Sequence, residues 1–222
     1  MPLDRFSNIE NAREDIIMTD KIILHTPLAI SLFHGSSENK QRIGVRQYAH
    51  LISKICEASK ADDPYADWYL LKSYNEMNKA KIFFKSIEQQ CQAKLKTVRG
   101  VELNLVSNPT SVPLIFRTSF AFMAAYLLAD LDYVTRQLMT LRKKGLYLDE
   151  PVTFDALTKQ FRSFISVAMG WKETGITRKD IKEKSENFLK LENDLKNFGD
   201  LPDEVMNKEI KFEFLPNYKL KK

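Results

Sequence analysis

The period of the apolar and polar positions changes along this chain. Between Lys21 and Thr26 it is two: Ile22 and Leu24 fall on one side, and Lys21, Ile23 and His25 on the other. That is the alternation of a strand with one buried face. Thr26-Pro27 then has the chemistry of an N-cap followed by proline in the first helical turn. Leu28 to His34 predict a short apolar helix that Gly35 can end. Ser36 to Gly44 form a polar loop, and a second, amphipathic helix starts at about Val45.

Downstream the period is mostly helical. Asp63 is a good N-cap, Pro64 suits a first turn, and Asp67 places negative charge near the helix N-terminus. Met77, Ala80, Phe84, Ile87, Cys91 and Leu95 continue as a stripe, which predicts a helix to about Lys96. Such a helix is roughly 50 Å long at about 1.5 Å per residue. Val101, Leu103 and Leu105 alternate with Glu102 and Asn104, a turn-rich segment follows at Ser107 to Ser111, and a return strand runs from Val112 to Arg117. This reads as a β-hairpin, with Pro113 restricting the return strand to an edge or a strand start. Ser119 is expected to cap a second long helix, Phe120 to Lys144, whose Phe120, Ala124, Leu127, Leu131, Val134, Leu138 and Leu141 make a heptad-like seam. The two long helices are expected to pack antiparallel as a helical hairpin. Thr153 starts a further helix with Phe154, Leu157, Phe161, Phe164 and Ala168 inward. Thr177 and Asp180 have capping-box spacing before a last helix expected to reach about Asn197, and Ile210 to Phe214 read as a strand in the tail.

The fold class is therefore mainly α with short β elements (α+β). The expected organisation is one elaborated domain over residues 1–222. A strand-helix-helix unit occupies 20–60, the helical hairpin with its β-hairpin and C-terminal helices 61–200, and a tail 201–222. Strand, helix, turn, helix is the order of a ribbon-helix-helix unit. Such a strand works in pairs, so two chains are expected to join their strands into one ribbon before it enters a DNA major groove.

Composition narrows the function classes. With 44% hydrophobic and 28% charged residues, the 222-residue chain can bury a sizeable core. No apolar run reaches the length that spans a bilayer, and Met1 to Asp20 lack the apolar centre of a signal peptide. A cytoplasmic protein with two buried thiols, Cys56 and Cys91, is expected. Net charge is +5 and the pI about 9.0. Much of the excess lies beside the first strand, where Lys40, Arg42, Arg46, Lys54 and Lys60 face Glu57 alone between positions 40 and 60.

Candidate chemistry follows from these positions. Lys21, Ile23 and His25 are candidates for base contacts: a donor to guanine, an apolar contact to a thymine methyl, and a donor or acceptor set by tautomer. The alternative is a half-buried sheet edge. Lys40, Arg42 and Arg46 are candidates for phosphate contacts near the start of the second helix, or else ordinary solvated loop residues. The return strand ending at Arg117 also precedes a helix and is a rival for the ribbon. Asp130 and Asp132 are two apart on a helix and face different directions, so they form no catalytic pair. His25, His34 and His50 show no zinc-ligand spacing with each other or with the cysteines. No phosphate-binding glycine loop, HExxH or nucleophile elbow is present, so neither an enzyme nor a metal or other cofactor is expected.

Several blocks together resemble a known family. They are His25-Thr26 with Leu32-Phe33 and Gly35; the segment Asp62 to Leu71; Ala124 to Asp130 with Asp132, Arg136 and Gly145-Leu146; Gly175 to Ile181; and Gly199 to Pro202. The segment Asp62 to Leu71 is the most specific. This set resembles the AcaB family of transcriptional regulators, carried by conjugative plasmids and integrative conjugative elements. The resemblance implies a ribbon-helix-helix-type DNA-binding protein that activates transfer genes; the expected partners are double-stranded promoter or operator DNA, a second copy of the chain and RNA polymerase, with no membrane. The alternative from another class is an accessory protein of the transfer machinery that binds a protein partner through its long helices, without sequence-specific DNA binding.

Overall fold

The computed structural model describes residues 20–36, 43–97 and 109–209. The chain opens with strand β1 (Asp20–Leu24), helix α1 (Pro27–His34) and helix α2 (Val45–Lys60). The long α3 (Pro64–Lys96) follows, then β2 (Thr110–Leu114), α4 (Ser119–Lys143) and α5 (Phe154–Met169). Shorter helices α6 (Arg178–Glu183), α7 (Glu186–Leu195) and α8 (Asp203–Met206) complete the described part.

The first strand-helix-helix unit forms as its pattern predicts. Thr26 caps α1 by accepting a hydrogen bond from the Ala29 amide, with Pro27 in the first turn. Gly44 precedes α2, and only glycine fits there: a Cβ would lie 2.4 Å from the Gly35 nitrogen. Gln47 ties the two helices together. Its side-chain oxygen accepts from the Gly44 amide at 2.9 Å, and its side-chain nitrogen donates to the His34 carbonyl at 2.9 Å.

Pairing of the strands differs from the expectation. β1 pairs antiparallel with β2 of the same chain, Ile22 opposite Val112 and Lys21 opposite Pro113. A ribbon formed between subunits is thus replaced by one formed within a single chain, and the two rival strands are the two halves of one ribbon. The reason is connectivity. A period-two pattern shows that a strand needs a partner but not which chain supplies it, and here a return strand is tethered about 90 residues away, where closing the loop costs little more than closing a shorter one. The first arm of the expected hairpin, Val101 to Leu105, lies outside the described residues, as does the tail strand Ile210 to Phe214.

A continuous core lies beneath the ribbon. Ile22 and Leu24 of β1 and Val112 and Leu114 of β2 are buried with Leu32 and Phe33 of α1 and Tyr48 and Ile52 of α2. The predicted stripe of α3 from Met77 to Cys91 and the whole seam of α4 are also in this core, with Leu95 partly buried against it. Phe164 meets the Tyr48 ring edge-on at 4.9 Å and the Phe161 ring at 5.2 Å. The Tyr48 hydroxyl is satisfied by Ser73 at 3.1 Å. Cys56 and Cys91 are free and buried, and burial pushes their thiols up to about 12 and about 11.

The expected antiparallel pairing of the two long helices is corrected. Lys94, near the end of α3, bonds Asp149 just past the end of α4 at 2.8 Å, and Asp130 at mid-α4 is within electrostatic reach of Lys81 and Glu88. α3 and α4 therefore run in the same direction. It is α5 that returns antiparallel along α3: it starts beside Arg142, whose guanidinium lies 4.6 Å from the Phe154 ring centre, and ends at Gly170 against Tyr69. A seam fixes which face is buried, not the partner or its direction. α4 starts from the ribbon, through β2, rather than from the end of α3.

Two boundaries also shift. Thr118, not Ser119, caps α4, accepting from the Ala121 amide at 3.3 Å. The last predicted helix is two: Lys184 turns left-handed with φ 48°, and Ser185 caps α7 afresh.

Asp132 locks the ribbon to α4. Its carboxylate is 2% exposed and accepts from the His25 and Thr26 amides at 2.9 Å each and from the Thr26 hydroxyl at 2.6 Å. It lies at the N-terminus of α1, where negative charge is favourable. Asp130 faces outward instead, as the two-residue spacing requires. Asp132→Ala leaves two backbone donors and one hydroxyl unpaired, and is expected to lower unfolding free energy by about 3 kcal/mol. A urea denaturation curve checks this; an unchanged midpoint would remove Asp132 as the lock.

Candidate nucleic-acid interface

The ribbon has an inner and an outer face because its strands alternate. The outer face carries Lys21 and Ile23 from β1 and Ser111 and Pro113 from β2, all exposed. Ile23 stands opposite Ser111. At 55% exposure Ile23 is an apolar side chain held out in solvent by a strand whose neighbours are buried. Pro113 is tolerated because, among the described residues, the sheet has two strands, so an outward edge needs no donor. Five residues per strand, roughly 17 Å, suit a major groove about 12 Å wide.

His25 does not share that face. It lies past the end of β1, its backbone held by Asp132, and its ring nitrogen Nδ1 is buried without a hydrogen-bond partner. The ring lines a hollow beside α4. Of the three expected base contacts, the structure therefore brings Lys21 and Ile23 together and sets His25 apart.

Arg46 is exposed in the first turn of α2. Lys40 and Arg42 lie outside the described residues; the loop that contains them is closed at its ends by a bridge between Gly35 and Ile43. Arg46 is not alone. His50 and Lys54 follow at four-residue intervals on the same exposed face, spanning about 12 Å of helix. Across a hollow of about 720 Å³ they face Ile115, Phe116 and Arg117, just past β2. Arg117, read as belonging to a rival ribbon, thus joins Arg46 at one site. Glu57 is the acidic residue at the far end of this hollow.

His50 and Lys54 are the residues that sequence reasoning left unassigned. Their signal was present as a four-residue spacing of bases from Arg46, but it resembles any solvated helix face until β2 is placed opposite it.

Among the described residues there is no group of three or more side chains suited to holding a metal. No described helix is long and apolar enough to cross a membrane.

The sequence profile of the transcriptional regulator AcaB matches residues 14–219, nearly the whole chain. By class this is a transcriptional regulator, with an α+β fold and a two-stranded ribbon on its surface. The chain belongs to the AcaB family. Its structure is similar to the crystal structure of AcaB from uropathogenic E. coli, with a TM-score of 0.51 over 92% of each chain and 13% sequence identity. At that identity the likeness shows a shared fold. A search of curated proteins finds no match.

Proposed function

We propose that this protein is a sequence-specific DNA-binding regulator that inserts the β1–β2 ribbon into the major groove of promoter or operator DNA. The observation that carries this reading is the ribbon itself, with Lys21, Ile23 and Ser111 outward and a hollow edged by bases at its side. Lys21 donates to guanine acceptors, Ile23 meets a thymine methyl, and the Ser111 hydroxyl can donate or accept. Arg46, Lys54 and Arg117 hold backbone phosphates and fix the register without reading sequence. His25 acts beside the ribbon rather than on it. Lys40 and Arg42 are further phosphate contacts in this reading.

One chain supplies a whole ribbon, so one chain reads one half-site. A homodimer places two ribbons on a pseudo-palindromic site. Family membership supports a role in transcription. Activation of conjugative transfer genes through RNA polymerase, in the cytoplasm, is the specific form we propose.

The test is binding to labelled upstream DNA of the encoding element against scrambled DNA at physiological salt. Preference for the upstream DNA is expected, and Lys21→Ala is expected to reduce it by about tenfold, since one good base contact gives about 1–3 kcal/mol of discrimination. Loss of affinity for both DNAs in equal measure would make Lys21 a phosphate contact. Absence of any DNA binding, with capture of a transfer component, would favour the protein-interaction role.

A further inference from the structure

The order strand, helix, helix occurs twice in this chain, as β1-α1-α2 and as β2-α4-α5. The two strands pair antiparallel, which is the relation a local twofold imposes. Antiparallel pairing puts the turns that follow β1 and β2 at opposite ends of the ribbon, and a hollow lies at each turn. In the first, the junction after β2 faces the end of α1, at Phe33 and His34, and the adjoining α2. In the second, the junction after β1 faces the end of α4. Each hollow is built where the turn after one strand meets the end of the other unit's first helix.

The second hollow measures about 190 Å³ and is edged by His25, Arg136, Thr140, Lys143 and Lys144. None of its described lining residues is acidic. The carboxylate of Asp132, bonded to the His25 backbone, is turned away: both its oxygens are taken by the amides of His25 and Thr26 and by the Thr26 hydroxyl. Two nitrogens of the lining, His25 Nδ1 and Arg136 Nε, are buried without a hydrogen-bond partner in the protein. Buried polar nitrogens are nearly always paired; Arg136 Nε can only donate, and His25 Nδ1 donates in the tautomer that carries its hydrogen, so an acceptor from outside satisfies both. A guanidinium with lysines around it suits a phosphate, whose oxygens can take several donors at once.

We propose that the hollow of His25, Arg136, Lys143 and Lys144 is a phosphate-binding site, and that it receives the DNA backbone on the opposite wall of the groove from Arg46, Lys54 and Arg117. The inference rests on the proposed DNA-binding function. A major groove is walled by two backbones, and a ribbon that enters it meets both. The two ends of the ribbon each lead into a hollow edged by bases. Lys143 and Lys144 then do more than complement the C-terminal end of the α4 dipole.

The test is a salt titration of binding to a random-sequence 40-base-pair duplex, comparing the unmutated chain with Arg136→Ala, Lys143→Ala and, as the first-hollow control, Arg46→Ala. The slope of log affinity against log salt is expected to fall by about 0.9 for each phosphate that the variant no longer neutralises. Lys143 is exposed, so its variant keeps the test valid should Arg136→Ala fail to fold. Slopes that fall for Arg136→Ala or Lys143→Ala as for Arg46→Ala support the site. Unchanged slopes in both, with a lowered slope in Arg46→Ala, overturn this inference and leave the ribbon reading intact. Thermal shift with inorganic phosphate separates the two sources of the ligand. Stabilisation of the unmutated chain but not of Arg136→Ala, with the DNA slope unmoved, assigns the hollow to a free anion and overturns its role on DNA. No DNA binding by the unmutated chain at any salt overturns both readings.

Discussion

Arg178→Ala is expected to lower the melting temperature by about 10 °C. That follows from about 3–5 kcal/mol for breaking a buried ion pair and roughly 2–4 °C per kcal/mol in a chain of this size. Arg178 is 5% exposed and places every guanidinium nitrogen. One terminal nitrogen donates to Asp67 at 2.6 Å and to the Val205 carbonyl at 2.9 Å; the other donates to Asp62 at 2.8 Å; Nε donates to the Met206 carbonyl at 3.2 Å. These bonds tie α6 and α8 to the start of α3. Asp67 also accepts from Ser59, so removing Arg178 leaves a buried carboxylate without its cation. The Asp67 pair carries most of the effect, because the Asp62 side chain is 38% exposed and screened. Differential scanning calorimetry measures it, and a shift below about 3 °C would reduce the clamp to ordinary surface pairing.

The same clamp has a pH signature. Burial alone would raise the Asp62 carboxyl, but the partners Lys208 and Arg178 outweigh it and hold the group below its ordinary range. A depressed carboxylate contributes stability that is present above its unfolded pKa and is lost as pH falls through the folded value. This contribution therefore disappears on acidification below the ordinary carboxylate range, and it is expected to be absent in the Arg178→Ala, Lys208→Ala double variant.

The second large effect is expected on DNA. Arg46→Ala, Lys54→Ala and Arg117→Ala combined should weaken binding to any duplex by about a hundredfold at physiological salt. Each phosphate left without its cation removes a slope of about 0.9, hence about fivefold near 0.15 M, and the three together lower the slope by nearly three. All three side chains are exposed, so the melting temperature should hold. Fluorescence anisotropy across a salt series reads both quantities. An unchanged slope would show that the backbone does not run through this hollow, however the ribbon itself fares.

Much of the fold was legible because it depends on local chemistry. Thr26, Asp63, Thr153 and Thr177 cap helices where their spacing from the following apolar residues put them. α3 begins at Pro64 and ends at Lys96 as its stripe predicts, and the outward placing of Lys21 and Ile23 follows from period two alone. Apart from the cap of α4 and the break at Lys184, which are local, the deciding contact where the reading failed lay far along the chain. Asp67 was legible as a favourable charge in a first turn, but its ion-pair partner is 111 residues away. His25 was placed by alternation on the outer face, yet its backbone N–H donates a hydrogen bond to Asp132, 107 residues on, and the residue turns aside where the strand has ended.

By itself, then, the sequence determined the long helices, most of their caps, their buried faces and the strand that offers Lys21 and Ile23, because each rests on the 2.0 and 3.6 residue periods and on neighbours within a turn. Only the tertiary structure decided that β2 completes the ribbon within one chain, that α3 and α4 run in the same direction, and that Arg117 comes to lie across from Arg46. Those depend on which buried faces meet. Apolar faces are complementary to many partners, and the chain's connections and the burial of the whole set select among them.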